Sequence, residues 1–273
     1  MSVDAVLAQL EREPGEFVVD PWVAERATLV AVERDRLVAA ALVLRYAASP
    51  EVAADLRGAG ELRWIVCWPE SVEAGSAVAA AALEQLTRWG VRRRYADGAL
   101  PAAGVYGIPD AWPHVRTVLR RAGFAPGERI EITLLAPVDG LPALPAAPPS
   151  PGLRVQRVLG GFATRFVAAD GDDAVAGFIE IAADLTAGGT LSRLAGWADV
   201  WNLHVAEAHR RAGVGTWLLA HAADWLRLAG ARVLRTEIAP LDDGAAAELA
   251  FLHRHGFRDV TRTTRGWRQP DPS

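Results

Sequence analysis

The sequence predicts an α/β (α+β) protein of two tandem domains, each a mixed central sheet flanked by helices. Short apolar runs typical of strands alternate with segments whose apolar residues recur at helical spacing. Residues 137–152 hold six prolines near the middle of the chain, a composition that favours an extended spacer. The order of predicted elements before this segment recurs after it, as in an internal duplication. We therefore expect one domain at residues 1–136, a linker at 137–152 and a second domain at 153–273.

The first half contains the elements of one such domain. Two runs of strand-forming residues flank a charged tetrapeptide at 33–36, which is typical of a hairpin. Gly90 and Gly123 follow the last periodic residues of two helical patterns and are expected to end those helices. In chain order, we predict a helix at 3–10, strands at 27–32, 37–46 and 63–68, helices at 76–89 and 112–122, and a strand at 129–135.

The second half repeats this order with a short connection near its start. Only residues 160–163 separate its first two strands, and an acidic turn at 170–173 joins the second strand to the third. Gly256 is expected to end the last helix. We predict strands at 153–159, 164–169, 174–182 and 200–205, a helix at 216–230, a strand at 233–238, a helix at 245–255 and a strand at 260–265.

The loop after the predicted strand 200–205 has the composition of an anion-binding site. Gly213 and Gly215 lack a Cβ, so a ligand can approach the backbone closely. The first N–H groups of the following helix have no partner within the helix, and the helix dipole adds positive potential. Arg210 and Arg211 can neutralise further negative charge. We expect this loop to bind a phosphate or a pyrophosphate.

The spacing of the loop distinguishes between known phosphate-binding motifs. A P-loop needs a lysine where this chain has Thr216, and a dinucleotide fingerprint needs a third glycine. The pattern Arg210-x-x-Gly213-x-Gly215 instead resembles the pyrophosphate loop of the GNAT superfamily, the acyl-CoA-dependent N-acyltransferases. The resemblance extends to the strand before the loop and to residues 251–257 after it, which end in Gly-Phe.

The resemblance implies a function and a cosubstrate. It implies an N-acetyltransferase of the tandem two-domain type, which moves an acetyl group from acetyl-CoA to a primary amine of a small molecule or a peptide N-terminus, by direct attack in a ternary complex. The alternative is a non-catalytic acyl-CoA-binding or partner-binding module. The residues implied to bind acetyl-CoA are Leu203, His204, Val205, Arg210, Arg211, Ala212, Gly213, Val214, Gly215 and Thr216.

The resemblance specifies the catalytic groups less completely. In GNAT enzymes a backbone N–H of the central strand stabilises the oxyanion, and the resemblance implies that residues 203–205 do so here. The candidate general bases are Glu237, His204 and Asp199, and each also has a purely structural interpretation. Glu180 is a further carboxylate on a neighbouring strand. Many GNAT enzymes use a tyrosine to protonate the leaving thiolate, and that position is Leu252 here.

The first half carries an altered copy of the loop. Aligning the two halves places Glu73 at the position of Arg211 and Gly75 at the position of Gly213. A carboxylate beside a pyrophosphate is repulsive, by on the order of 1 kcal/mol near a protein surface. We predict that the first copy binds CoA poorly and is mainly structural.

Composition restricts the possible partners and the compartment. A net charge of −4 argues against a nucleic-acid platform, and the run 92–94 of three arginines is expected to be solvated surface. Cys67 is the single cysteine and is expected in the core, which suits a reducing cytoplasm. We predict no signal peptide, no membrane span and no metal site, and a monomer or homodimer.

Overall fold

The computed structural model describes residues 22–96, 106–160, 163–183 and 196–270. The chain folds into two compact units, which differ from the predicted domains. The first unit comprises the residues up to Glu131 together with those from Thr261 onward, and the second comprises Ile132–Val260. Sheets flanked by helices confirm the predicted fold class. The helix predicted at 3–10 lies outside the described residues.

The observed elements follow the predicted order, with two additional short strands, Arg94–Tyr95 and Ile108–Pro109, that the sequence did not predict. In the first part of the chain they are β1 Val23–Glu33, β2 Arg36–Tyr46, β3 Gly60–Cys67, α1 Val72–Arg88, β4 Arg94–Tyr95, β5 Ile108–Pro109 and α2 Pro113–Arg121. They continue with β6 Ile130–Pro137, β7 Arg154–Leu159, β8 Thr164–Ala169, β9 Val175–Ala183, β10 Trp197–Val205, α3 Val214–Leu228, β11 Val233–Ile238, α4 Ala245–Arg254 and β12 Arg258–Thr264. Short 3-10 turns cover Val138–Gly140 and Glu207–His209.

The first unit is built on a sheet of order β1-β2-β3-β4. The predicted hairpin is confirmed: β1 and β2 are antiparallel, and Arg34 and Asp35 have positive φ in the turn between them. Helix α1 presents a buried stripe, formed by Val78, Ala79, Ala82 and Leu86, to the core of this unit. The stripe reflects apolar residues recurring every three to four positions along the helix.

The end of the chain belongs to the first unit. Trp267 is fully buried in the core of that unit, and its Nε1 donates to the carbonyl of Thr264 at 3.0 Å. The backbone of Trp267 accepts a hydrogen bond from the N–H of Ala96 at 2.8 Å, and Thr263 pairs with Pro109 of β5. The sequence predicts a second domain that runs from 153 to 273. The structure instead places the final residues of the chain in the first unit.

The predicted linker also differs from the structure. Strand β6 pairs with β11 inside the second unit, from Ile132↔Ile238 to Pro137↔Val233. Val138 and Leu141 then contribute to the core of the same unit, and Arg227 donates to both of their carbonyls, at 3.1 and 2.7 Å. The start of the predicted linker is therefore held against the second unit. Its apolar residues pack in the core of that unit, while its prolines keep the backbone extended.

The burial of Trp267 leads to a stability prediction. We expect Trp267→Ala to lower the free energy of unfolding by about 3–5 kcal/mol, since it empties a large fully buried site. Urea denaturation of the full chain measures this change, and Arg268→Ala at the exposed neighbouring position is the control. Equal unfolding midpoints for the two variants would contradict the placement of Trp267 in a core.

The second unit is built on a sheet of order β6-β11-β10-β9-β8-β7. All neighbours in it are antiparallel except β10 and β11, which are parallel. Helix α3 covers one face and buries Trp217, Leu218, Leu219 and Leu226 against it. Within the described ranges, no helix is both long and apolar enough to cross a membrane.

Candidate functional site

The two parallel strands of the second unit separate part of the way along their length. Strand β10 pairs with β11 only from Trp197↔Val233 to Asp199↔Arg235. Beyond this point β10 continues to Val205 beside β9, and β11 continues to Ile238 beside β6. A bulge between Val200 and Asn202 marks the change in direction of β10. The backbone edge at 200–205 therefore faces an opening in the sheet, where an extended ligand can form strand-like hydrogen bonds.

The predicted anion-binding loop follows directly from this edge. It leads through a 3-10 turn to Gly213, which is the N-cap of α3 with φ 86° and ψ −2°. No side chain of the described residues caps the helix, so the N–H groups of its first turn are available to a ligand. Arg210 and Arg211 are exposed beside it, and the Nε of Arg210 donates to the carbonyl of Val205 at 3.2 Å. Positive charge and free donors thus converge at the start of α3.

The two glycines of the loop have different structural roles. The left-handed backbone of Gly213 strongly favours glycine, and a Cβ there would also lie 3.4 Å from the Cβ of Pro149. Gly215 has no such backbone requirement, but a Cβ on it would lie 3.4 Å from the ring of Phe251 and 3.6 Å from Val205. Gly213 therefore shapes the turn, whereas a Cβ on Gly215 would make only ordinary van der Waals contacts in this structure.

A histidine that the sequence analysis did not identify contacts the start of this helix. The Nε2 of His255 lies 3.0 Å from the Oγ1 of Thr216, and its ring packs edge-on against Phe251 at 4.6 Å. Burial, reinforced by the positive charge of Arg254, lowers the pKa of His255 below its usual value. A neutral imidazole orients the Thr216 hydroxyl without adding charge. The position of His255 directly before Gly256 was the available sequence signal.

The candidate bases lie on or near one face of the sheet. Asn202 and His204 of β10 lie opposite Glu180 and Phe178 of β9, so they share the face turned away from α3. His204 is exposed, and its ring centroid lies 5.7 Å from that of Phe178. Leu203 and Val205 point to the other face, where they pack against the core. A ligand in the opening would lie beside β10 and could contact His204 on that strand.

Asp199 and Glu180 are engaged in ion pairs on this face. The carboxylate of Asp199 accepts from the Nε of Arg235 at 2.7 Å, and that of Glu180 accepts from Arg165 at 2.9 Å. Glu237 lies two residues beyond Arg235, on the part of β11 that has separated from β10, and it is half-buried. Glu237 and His204 therefore flank the opening from opposite strands. Their catalytic roles, and that of Asp199, remain predictions.

The position of the usual acid is filled by a core residue. Leu252 is 3 % exposed and packs in the core of the second unit. The adjacent His253 pairs with Asp259 at 2.7 Å. Helix α4 thus supplies no proton donor at the position where many GNAT enzymes have a tyrosine.

The corresponding segment of the first unit has a different local structure. Helix α1 begins at Val72, so Gly75 lies within the helix rather than at its N-cap. A Cβ on Gly75 would approach the sulfur of Cys67 to 2.9 Å, so this glycine serves close packing. Glu73 pairs with Arg121 at 2.7 Å. The alignment of Gly75 with Gly213 is therefore wrong, because the connection into α1 is too short to form a comparable loop.

Cys67 is buried, as predicted. Desolvation, reinforced by Glu70, raises its pKa to about 11. At neutral pH the side chain is a protonated thiol, whereas the reactive nucleophile is the thiolate. Its role is to fill the core.

In α/β proteins, a sheet that opens beside the start of a helix is a common place for a ligand to bind. Residues 144–257 match the model of the acetyltransferase (GNAT) family. The match covers β10, the loop, α3 and α4. No curated protein matches this sequence significantly.

Solved structures share the fold over nearly the whole chain. A tandem GNAT protein from the clavulanic acid biosynthesis pathway is 16 % identical, with a TM-score of 0.54 over 99 % of this chain and 94 % of that chain. A GCN5-related N-acetyltransferase from Sphaerobacter thermophilus is 14 % identical, with a TM-score of 0.58 over 100 % and 87 %. The tandem neighbour confirms the predicted two-domain type.

A fungal multi-domain enzyme has a region of similar fold. The GCN5-related glucosamine N-acetyltransferase region of a GH3 β-N-acetylglucosaminidase is 14 % identical, with a TM-score of 0.58 over 97 % of this chain. The match spans 36 % of that fungal chain. At this level of identity the likeness concerns the fold alone.

Proposed function

We propose that this chain is an acetyl-CoA-dependent N-acetyltransferase that acts on a primary amine of a small molecule or a peptide N-terminus. The observation that carries the proposal is the opening between β10 and β11 directly beside the Gly213-capped start of α3. An opening of this kind accepts an extended amide-containing arm, and the helix start accepts the attached pyrophosphate. The family whose model residues 144–257 match supports the same activity.

The residues around the opening suggest how the reaction proceeds. Backbone N–H groups at 203–205 would donate to the oxyanion that forms when the amine attacks the thioester carbonyl. Glu237 or His204 would accept the amine proton from the face of the sheet where both lie. The C–S bond then breaks and the electron pair leaves with sulfur. A thiol has a pKa of about 8.5, so CoA can depart as the thiolate and take its proton from water. The reaction then needs no acidic side chain at the position of Leu252.

The amine acceptor would bind on the same face of the sheet as the candidate bases. The side chains of Arg165, Glu180 and Arg235 surround the candidate bases with both signs of charge. Such a surface suits an acceptor that carries polar groups in addition to its amine.

We also propose a cytoplasmic location, since the single cysteine is a buried free thiol.

The core position of Leu252 favours one alternative function, a non-catalytic module that binds acyl-CoA. A chain that kept the loop but lacks the usual acid can bind acyl-CoA without transferring the acyl group. In that case the opening would hold the ligand for regulation or for display to a partner.

Release of free CoA distinguishes the two functions. We expect the full chain to release CoA from acetyl-CoA in the presence of a suitable member of an amine panel, at a rate that depends on both reactants. A thiol reagent measures the release in the native state, where buried Cys67 contributes little background. Binding of acetyl-CoA with no amine-dependent release across the panel would favour the non-catalytic module.

A further inference from the structure

The first unit contains a cavity lined by arginines. Its volume is about 440 Å³, and its lining includes Arg93, Arg94, Tyr95, Arg268 and Gln269. We refer to it as the arginine cavity. All of these residues belong to the first unit, whereas the loop at Gly213 belongs to the second.

Backbone pairing between distant segments assembles this cavity. Arg268 forms antiparallel bridges with Tyr95 and with Ala125. The N–H of Gln269 donates to the carbonyl of Arg94 at 3.1 Å, and the amide of its side chain donates to the carbonyl of Ala122 at 2.6 Å. The guanidinium groups are therefore attached to a main chain that is held by several hydrogen bonds.

The hydrogen bonds of these arginines go to neutral acceptors. Arg93 donates to the carbonyl of Arg57 at 3.1 Å. Arg94 donates to the Thr87 hydroxyl at 2.8 Å and to the Gln269 amide oxygen at 3.4 Å. No carboxylate is among the residues that line the described cavity. Three positive charges thus converge with no anion from the described lining to balance them.

Other arginines of the same unit are arranged differently. Arg116 pairs with Asp110 at 2.9 Å and Arg121 pairs with Glu73 at 2.7 Å. The sequence predicts that the run 92–94 is solvated surface, and this prediction is correct for the exposed Arg92. Arg93 and Arg94, however, are half-buried. Tertiary structure has therefore turned two of the three arginines towards a cavity.

The guanidinium of Arg94 also has a donor without a partner. Its Nε is buried and lacks a hydrogen-bond acceptor among the described residues. Because that atom is closed off from solvent, it marks incomplete pairing of the Arg94 side chain and is not itself a contact for a ligand in the cavity. Anions with several oxygens match the donors of guanidinium groups, and bidentate contacts to phosphate are characteristic of arginine.

We propose that the arginine cavity binds a small phosphorylated molecule that carries at least two negative charges. The volume lies within the range of small-molecule sites, roughly 300–1,000 Å³, and exceeds what a lone phosphate needs. Arg93, Arg94 and Arg268 bind the phosphate group, while the Tyr95 ring contacts the organic part. The first unit is then a ligand-binding domain in its own right and not only a degenerate copy.

Inorganic pyrophosphate is the probe for a direct test. The full chain with Gly213→Asp removes the competing loop of the second unit, and saturating CoA on the wild-type chain is a second way to occupy that loop. We expect calorimetry at low ionic strength, where screening is weak, to show pyrophosphate binding at one site in both preparations. Absence of binding at millimolar pyrophosphate in both would overturn the proposal.

Substitutions then locate the site. In the Gly213→Asp chain, we expect Arg268→Gln and Arg94→Gln each to lower the pyrophosphate affinity by about tenfold, the value of a charge-assisted hydrogen bond. Arg92→Gln is the matched control, because it removes the same charge from the exposed neighbouring position. It should change the affinity by no more than about twofold.

Arg268→Gln also covers the case in which Arg94→Gln does not fold. Arg268 is exposed, so its substitution should leave the fold intact and still test whether the cavity binds pyrophosphate. A loss for Arg92→Gln equal to that for Arg268→Gln would contradict the proposal.

Discussion

Gly213→Asp should severely weaken the binding of CoA to this chain. The residue caps α3 with φ 86° and lies exposed at the helix start. An aspartate there strains the left-handed backbone and places a negative charge where the pyrophosphate would sit. We expect CoA to raise the melting temperature of the wild-type chain and to have no effect on the variant. Calorimetry should show about a 100-fold loss of affinity, equivalent to about two charge-assisted hydrogen bonds.

Gly244→Asp is a closely matched control for this experiment. Gly244 is the N-cap of α4 with φ 84° and ψ −8°, nearly the same conformation as Gly213. The control therefore introduces the same strain and the same charge at another helix start, and it should leave CoA binding unchanged. Equal CoA-induced stabilisation of the two variants would refute the assignment of the loop. Any CoA site that survives in Gly213→Asp would show that the first unit binds CoA after all.

Glu237→Gln should lower the kcat of amine acetylation by about 10²–10⁴-fold, the usual contribution of a general base. Glu237 is half-buried on the part of β11 that has separated from β10. The amide keeps the size of the side chain but cannot accept the amine proton, while the groups that bind CoA are untouched. Steady-state kinetics should therefore show a fall in kcat, and calorimetry should show an unchanged affinity for CoA.

His204→Gln tests the competing base on the opposite strand. A loss of kcat in this variant with full activity in Glu237→Gln would assign the proton transfer to His204. Asp199→Asn tests the third candidate base on the same face, where the carboxylate is engaged with Arg235 at 2.7 Å. Wild-type turnover in all three variants would contradict a side-chain base on this face of the sheet.

The local parts of the site were predictable because they depend on neighbours in sequence. The strand before the loop, the helix after it and Gly213 at the turn all follow from residue spacing and from the backbone needs of a helix start. The predicted hairpin at β1 and β2 was confirmed for the same reason. The start of α1 was misplaced, because the alignment of the halves required a glycine turn that the short connection at Val72 does not contain.

Contacts between distant residues were not predictable in this way. Periodicity predicts a strand at 129–135, but it does not say which strand edge this strand joins, and the structure pairs it with β11. His255 and Thr216 meet because α4 returns to the start of α3. Neither residue has a local pattern that indicates the other.

The sequence by itself therefore determined the order of elements, the glycine-capped loop before α3 and the family resemblance, since each depends on hydrogen bonding and spacing within a few residues. Only the tertiary structure decided the opening between β10 and β11, the place of Trp267 in the first unit and the convergence of Arg93, Arg94 and Arg268 on one cavity. Those features depend on which strand edges and apolar faces bury one another. Many pairings satisfy the same local pattern, and the packing of the whole chain selects among them.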